Sequence, residues 1–423
     1  MHFVSTRGGS EPVSFRRALF DGLAPDGGLY VADRLDPLDL RDLAGADLVG
    51  VGCEIATRFV GDDLARTTLD RLIAEALDFP IPLVQLEPGL SVLELFHGPT
   101  FAFKDVGARV MARLMTALNA EDLPLTVLVA TSGDTGSAVA QAFHGLPGTR
   151  VVVLFPRDGV TPVQEAQFAT LGGNVQAVGV TGTFDDCQRL VKDAFADGGI
   201  RRDVQLTSAN SINIGRLLPQ VFYYVHAASA HAGDEVVVSV PSGNFGNLTA
   251  GVMARRLGAP IARFVAATTI NDTFPRYLAT GRYEPADSVA TLANAMDVGR
   301  PSNIERLRHL FDDDVERMRA MIDSSVQTDT DVRRGIREVW DRYDYVCDPH
   351  TAIAYLGVTG AGRRNGVERI FLSTAHPAKF RETVEPVIGR PVPLPPPLAE
   401  ALERRRLVEH IEPTLSGLRP LLR

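Results

Sequence analysis

Two series of short apolar runs, each run followed by a helical segment, constrain this chain more than any other feature. LTVLVA (125–130), VVVLF (151–155) and NVQAVGV (174–180) make up the first series. EVVVSVPS (235–242), RFVAAT (263–268) and RIFLST (369–374) make up the second. Alternation of this kind is the βαβ pattern of a parallel sheet. The expected fold class is therefore α/β, with two parallel-sheet lobes. A ligand site is expected between the lobes, outside the carboxyl ends of the strands, where loops from both meet.

A chain of 423 residues is too long for one core, which agrees with several packed units. Residues 1–80 begin Gly-rich and include the turn-dense GLAPDGGLYV (22–31), with no clear strand alternation; they read as an N-terminal cap domain. Residues 81–390 carry the two lobes, the smaller over about 95–210 and the larger over about 211–390. Residues 391–423 begin with PVPLPPPL, a stiff connector, and end in an Arg-rich segment assigned to packing. No period of 20 to 50 residues repeats, which sets solenoids and propellers aside.

A formal charge of −9 and a pI near 5.5 leave no general basic field for a polyanion, so no nucleic-acid partner is expected and any phosphate must be held locally. The start, MHFVSTRGGSEPVSF, lacks a basic segment followed by an apolar one, and no run of about 18 apolar residues occurs. A cytoplasmic protein without a membrane partner is expected. Cys53, Cys187 and Cys347 are far apart and show no C-x-x-C spacing, so neither disulfides nor zinc are implied and no metal is expected.

The chemistry is signalled by two loops and a lysine. SGDTGS (132–137) follows the strand LTVLVAT and opens the apolar helix SAVAQAF. Glycines there permit close backbone approach, and the N–H groups and dipole of a helix start favour an anion. The same loop also reads as an ordinary capped turn, since Ser, Asp and Thr are common capping residues. PSGNFGNLTAG (241–251) repeats the arrangement in the second lobe. Neither string is G-x-G-x-x-G or carries GK[ST], so a ligand smaller than a dinucleotide or nucleoside triphosphate is indicated.

The 43 basic residues comprise 40 arginines and only three lysines, Lys104, Lys192 and Lys379. Arginine cannot lose its proton and so cannot form a Schiff base, whereas a desolvated lysine can. Lys192 falls on the solvated side of a helix whose stripe is Phe184, Cys187, Leu190, Val191, Ala194 and Phe195. Lys104 stands at a helix start beside Phe101 and Phe103; the helix dipole and aromatic neighbours both act to lower its pKa. A local pairing with Asp105 is the structural alternative. Pyridoxal 5'-phosphate, one phosphate and an aldehyde, suits two nests and such a lysine.

Taken together, LFHGPTFAFKD (95–105), TSGDTGS (131–137), TSANSINIGRLLPQ (207–220), VPSGNFGNLTAG (240–251), AMDVGRPSN (295–303), DPHTAIAY (348–355) and STAHPAKF (373–380), with STRG (5–8) and GLAPDGGLYV, resemble the threonine synthases. These form a family of fold type II, tryptophan-synthase-β-like pyridoxal-phosphate enzymes. The resemblance implies conversion of O-phospho-L-homoserine and water to L-threonine and phosphate. It matches Lys104 to the lysine that carries the cofactor and Gly243, Asn244, Phe245, Gly246 and Asn247 to the loop holding its phosphate. Thr374 matches the hydroxyl placed against the pyridine nitrogen, where it tempers the electron sink.

Ser132, Asp134 and Thr135 match the loop that takes the substrate carboxylate near the cofactor's 3'-oxygen. Many relatives have Asn where this chain has Asp134, and a carboxylate there repels another unless it is protonated or turned away. Asn210, Ser211 and Arg216 resemble the group that holds the leaving phosphate, Arg being suited to bidentate contact; Arg216 could equally just begin a helix. Lys379 is expected to add charge to that pocket. His97, His350 and His376 are read as structural. The rival activities are a phospho-lyase or a serine/threonine dehydratase on the same scaffold, and a cofactor-binding protein without catalysis. A monomer or homodimer is expected.

Overall fold

The computed structural model describes every residue except 40–42, 44, 120–123, 158, 232–234, 361–365 and 423. In the N-terminal region β1 (Phe3–Ser5) pairs antiparallel with β2 (Tyr30–Ala32), a small sheet where the sequence showed no alternation. The strands are three residues each, too short to display a period. β3 (Leu83–Glu87) and β4 (Leu90–Glu94) then form a hairpin.

The first apolar series becomes β5 (Leu125–Ala130), β6 (Thr149–Pro156) and β7 (Val175–Val180), joined by β8 (Gln205–Thr207). Every side chain of β5 is buried, as a central parallel strand with both faces covered requires. The second series becomes β9 (Glu235–Pro241), β10 (Ile261–Thr268) and β12 (Val367–Ser373), with β11 (Ile322–Val326) between the last two in sequence. The larger sheet runs β11-β10-β9-β12-β4-β3, parallel except for β3. Edge strands β3 and β11 are half-exposed, so they lack the apolar signature that revealed their neighbours.

The C-terminal segment does more than pack. Its helix Pro396–Glu403 is followed by β13 (Val408–Ile411), which pairs parallel with β7 and gives the smaller sheet the order β13-β7-β6-β5-β8. Val-Glu-His-Ile has half of its positions exposed, which explains why it did not read as a strand. A continuous apolar core links the N-terminal residues Phe3 and Phe59 to Met111, Val127 and Val238 of the two lobes. Cys53, Cys187 and Cys347 are free and buried. Among the described residues no helix is long and apolar enough to cross a membrane.

Candidate active site

The carboxyl ends of β4, β5, β8, β9 and β12 converge on one cavity of about 1440 Å³. It is lined by Lys104, Ser132, Asp134, Thr135, Asn210, Ser211, Arg216, the whole of Gly243–Asn247 and Thr374. Thus residues from both lobes, picked out by sequence, meet in one place. Lys379 is the exception and is taken up below.

Three helices begin at this cavity: Lys104–Leu118, Asp134–Phe143 and Gly246–Arg256. The first and third have no side-chain cap on their N-terminal N–H groups, whereas in the SGDTGS loop Thr131 Oγ1 accepts from the N–H groups of Gly133 and Gly136, each at 2.9 Å, so that loop is in part a capped turn. Backbone form is committed to the site as well. Phe245, before the third helix, has φ +61°, and Phe101, ahead of Lys104, has φ +58°; left-handed backbone at a bulky residue is strained and persists only where packing dictates it. A Cβ on Gly243 would stand 2.6 Å from Cα of Met296, so only glycine admits this close approach.

Lys104 opens onto the cavity, its Nζ 5.9 Å from the Phe103 ring centre. Enclosure by protein lowers its pKa to about 8, with Arg216 and Lys379 acting in the same direction and Asp134 opposing them. The pairing with Asp105 does not form: the Asp105 carboxylate instead accepts from the Thr100 N–H at 2.8 Å and hydroxyl at 2.6 Å. Asp134 is buried, and burial pushes its carboxyl up, but Lys379 and Lys104 outweigh this and hold it at about 2. Its expected repulsion of a second carboxylate is thereby answered: Lys379 Nζ lies 2.6 Å from Asp134 Oδ1. Lys379 does not line the cavity; buried behind Asp134, it also donates to the carbonyl of Thr100 at 2.9 Å.

In the 208–216 loop, Arg216 is buried and donates from Nη1 to the Ala209 carbonyl at 2.8 Å. Its Nε has no partner and burial lowers its pKa to about 10. Among the described residues no carboxylate pairs with it, so its charge is free for an anion. Asn210 Oδ1 is likewise buried without a partner. Ser211 Oγ accepts from Asn244 Nδ2 at 2.5 Å, tying the 208–216 loop to the Gly243–Asn247 loop, and Asn244 Oδ1 accepts from the Ser302 N–H at 2.7 Å. Asn247 Oδ1 accepts from the hydroxyls of Tyr223 and Tyr224 at 2.7 and 2.8 Å.

Two supports, Arg306 and Gly107, escaped the sequence reading, and a third, His350, reads there as structural, without its partners. Arg306 is fully buried and donates to the carbonyls of Tyr30 (2.9 Å), Ser211 (3.1 Å) and Ile212 (2.6 Å) and to Asn303 Oδ1 (2.7 Å), clamping the 208–216 loop to the N-terminal region. A Cβ on Gly107 would lie 2.5 Å from the Arg216 carbonyl, so this glycine lets the Lys104 helix touch the Arg216 turn. His350 lines the cavity with Nδ1 held 2.6 Å from Asp348, and Thr351 links Asp348 to Ser373, just before Thr374. A pattern of DPHT next to an apolar helix was the available signal for that support; Arg306 and Gly107 had none.

The residues present suit pyridoxal 5'-phosphate. A lysine of depressed pKa, an uncapped glycine-rich helix start and a buried hydroxyl at Thr374 face one space, and unpartnered donors remain at Arg216 and Asn247.

Comparison with known proteins decides the family. Residues 79–370 match the model for pyridoxal-phosphate dependent enzymes, residues 2–77 that for the threonine synthase N terminus and residues 351–420 that for the threonine synthase C-terminal region. The chain belongs to the threonine synthases. It is 42% identical over 430 residues to threonine synthase of Serratia marcescens, covering 100% of this chain and 99% of that one. Two crystal structures of threonine synthases superimpose along the whole chain. That from Escherichia coli has TM-score 0.92 and 42% identity, covering 100% and 99% of the two chains. The pyridoxal-phosphate-bound enzyme from Brucella melitensis has TM-score 0.94 and 34% identity, covering 100% and 98%. The fold is accordingly fold type II α/β, the cofactor of this threonine synthase family member is pyridoxal 5'-phosphate, and the protein is an enzyme of the lyase class.

Proposed function

We propose that the cavity converts O-phospho-L-homoserine and water to L-threonine and phosphate by γ-elimination and β-addition of water, with each residue in the role its motif suggests. Lys104 carries the cofactor, and Gly243, Asn244, Phe245, Gly246 and Asn247 hold the cofactor phosphate. Thr374 faces the ring nitrogen and Asp134 the region of the 3'-oxygen. When bound, pyridoxal 5'-phosphate withdraws electrons from the substrate's Cα. Ser132 and Thr135 take the substrate carboxylate. Asn210, Ser211 and Arg216 take its phosphate, and they keep it through cleavage.

The Lys104 amine, released once substrate is seated, removes one proton from Cα and one from Cβ as the γ-phosphate leaves, returns one to Cγ, and returns the other to Cα after water has given its hydroxyl to Cβ and its proton to the departing phosphate. An amine with pKa near 8 is matched to repeated transfer in both directions near neutral pH. The observation that carries this reading is Arg216, a buried guanidinium without an acidic partner, lining the same cavity as Lys104. Incubation with O-phospho-L-homoserine should yield phosphate and threonine in equal amounts; phosphate with 2-oxobutyrate instead would make the protein a phospho-lyase. The proposal further includes residues 1–80 as a separate N-terminal domain, a cytoplasmic location and a monomeric or homodimeric state, the last checked by light scattering.

A further inference from the structure

Of the three lysines in this chain, two converge on one carboxylate. Lys379 follows β12 and Asp134 follows β5, so the ion pair joins the larger sheet to the smaller. Its N–O distance is 2.6 Å, and the two side chains are 0% and 4% exposed. Gln164 Nε2 donates to the same oxygen, Asp134 Oδ1, at 3.1 Å, and the Thr100 carbonyl accepts from Lys379 at 2.9 Å. Thr100 is in turn held by Asp105, the residue next to Lys104. Every other ion pair between described side chains uses Arg or His as the base, for example at Asp70, Asp186, Asp197 and Asp348. A compact ammonium stands where a planar fork of five N–H groups would have to find more acceptors than this closed space offers.

We infer that Asp134 and Lys379 act as one neutral, buried unit that fixes the charge felt by the Lys104 amine, with Lys379 a positioning residue that works through Asp134 and does not contact the substrate phosphate. The inference rests on Lys104 being the cofactor lysine. The charged groups facing Lys104 are Asp134 from the smaller sheet, Arg216 from the 214–217 turn and Lys379 from beyond β12. An unpaired carboxylate at 134 would stabilise the protonated amine and leave it unable to attack an aldehyde. Paired with Lys379, the carboxylate's pull on the amine is partly offset, and enclosure together with Arg216 keeps the amine available. The direction of the Lys104 shift agrees. The same pairing lets a substrate carboxylate approach Ser132 and Thr135 without meeting a net negative charge.

The test uses full-length chain stripped of cofactor, the wild type beside Lys379→Met, Asp134→Asn and the double variant. Each is mixed with pyridoxal 5'-phosphate, and the rate at which the visible absorbance band appears is followed against pH. The midpoint of that profile reports the free amine. Lys379→Met should move the midpoint up and Asp134→Asn should move it down, each by about one pH unit or more, a tenfold change in proton affinity. The double variant should return to within about 0.3 unit of wild type and melt at a higher temperature than either single variant, because each single variant strands a buried charge. In the reloaded Lys379→Met enzyme the KM for O-phospho-L-homoserine should change less than about threefold.

Unmoved midpoints in both single variants would reduce the pair to a structural bridge and overturn the inference. A tenfold rise in KM with an unmoved midpoint in Lys379→Met would also overturn it, making Lys379 a phosphate contact. Should one single variant fail to fold, the other decides: a midpoint displaced in the stated direction supports the inference, and an unmoved one defeats it. If wild type itself forms no band, the assignment of Lys104 fails instead.

Discussion

The loop after β5 and the loop after β9 have the same form, strand then glycine-rich turn then helix, yet they treat charge in opposite ways. The first brings its own anion: Asp134 occupies the opening position of its helix and is answered by Lys379. The second brings only amides, and Asn247 Oδ1 is occupied by two tyrosine hydroxyls. Several other helix starts are capped by side chains, those of Ser14, Asp47, Thr161, Thr183 and Thr328. The difference shows how one motif serves two purposes. A positive helix end that is filled internally becomes a neutral wall, and one left vacant becomes a receptor for phosphate.

Five substitutions break or sharpen the contrast. The largest effect is expected for Lys104→Ala, which belongs to neither loop but faces both: loss of the visible band and of turnover by roughly 10³-fold or more, the scale on which removal of a nucleophile and base acts; absorbance and steady-state assays check it. Arg216→Ala should lower kcat/KM for O-phospho-L-homoserine by about 10²-fold, a charge-assisted bidentate contact being worth about 2–3 kcal/mol, while cofactor affinity measured by titration stays within about twofold.

Gly243→Ala and Gly133→Ala compare the loops directly. The new methyl at 243 meets backbone of Met296 at 2.6 Å, whereas at 133 it meets the Gln164 amide at 2.6 Å, with φ +151° adding strain. Cofactor affinity should fall about tenfold or more for the first, since backbone cannot step aside, and about threefold or less for the second. The smallest effect belongs to Tyr223→Phe: Asn247 keeps its bond from Tyr224, so stability should drop by about 1 kcal/mol in urea unfolding, with little change in KM.

The central strands, both nests and Lys104 were legible because local pattern fixes them: a fully buried parallel strand must be apolar, and a helix start that receives an anion needs glycine and small polar residues. Lys379 was noticed for its rarity, but its pairing with Asp134 was not foreseen, because pairing between two lobes leaves no trace in local spacing. Arg306 was invisible among 40 arginines; it lies in NIERLRHLF beside the apolar Ile304, Leu307 and Leu310, where a solvated position is the ordinary reading. Only its tertiary setting, against carbonyls of Tyr30, Ser211 and Ile212, makes it a buried clamp. Edge strands β3, β11 and β13 escaped because half-exposed strands need not be apolar.

β13 has a consequence for how the molecule is made. The outer strand of the smaller sheet (Val408–Ile411) is translated long after β7 (Val175–Val180), and until then β7 presents a bare row of N–H and C=O groups; once β13 is in place the Leu407 N–H donates to the Ala169 carbonyl at 2.6 Å and the Thr181 N–H to the Ile411 carbonyl at 3.0 Å. The lobe that houses Asp134 therefore waits, with a sticky edge, while the larger lobe is translated. Such an edge invites pairing with a neighbouring nascent chain. β13 works as a latch on the newborn protein, and its loss would be felt first as aggregation during synthesis.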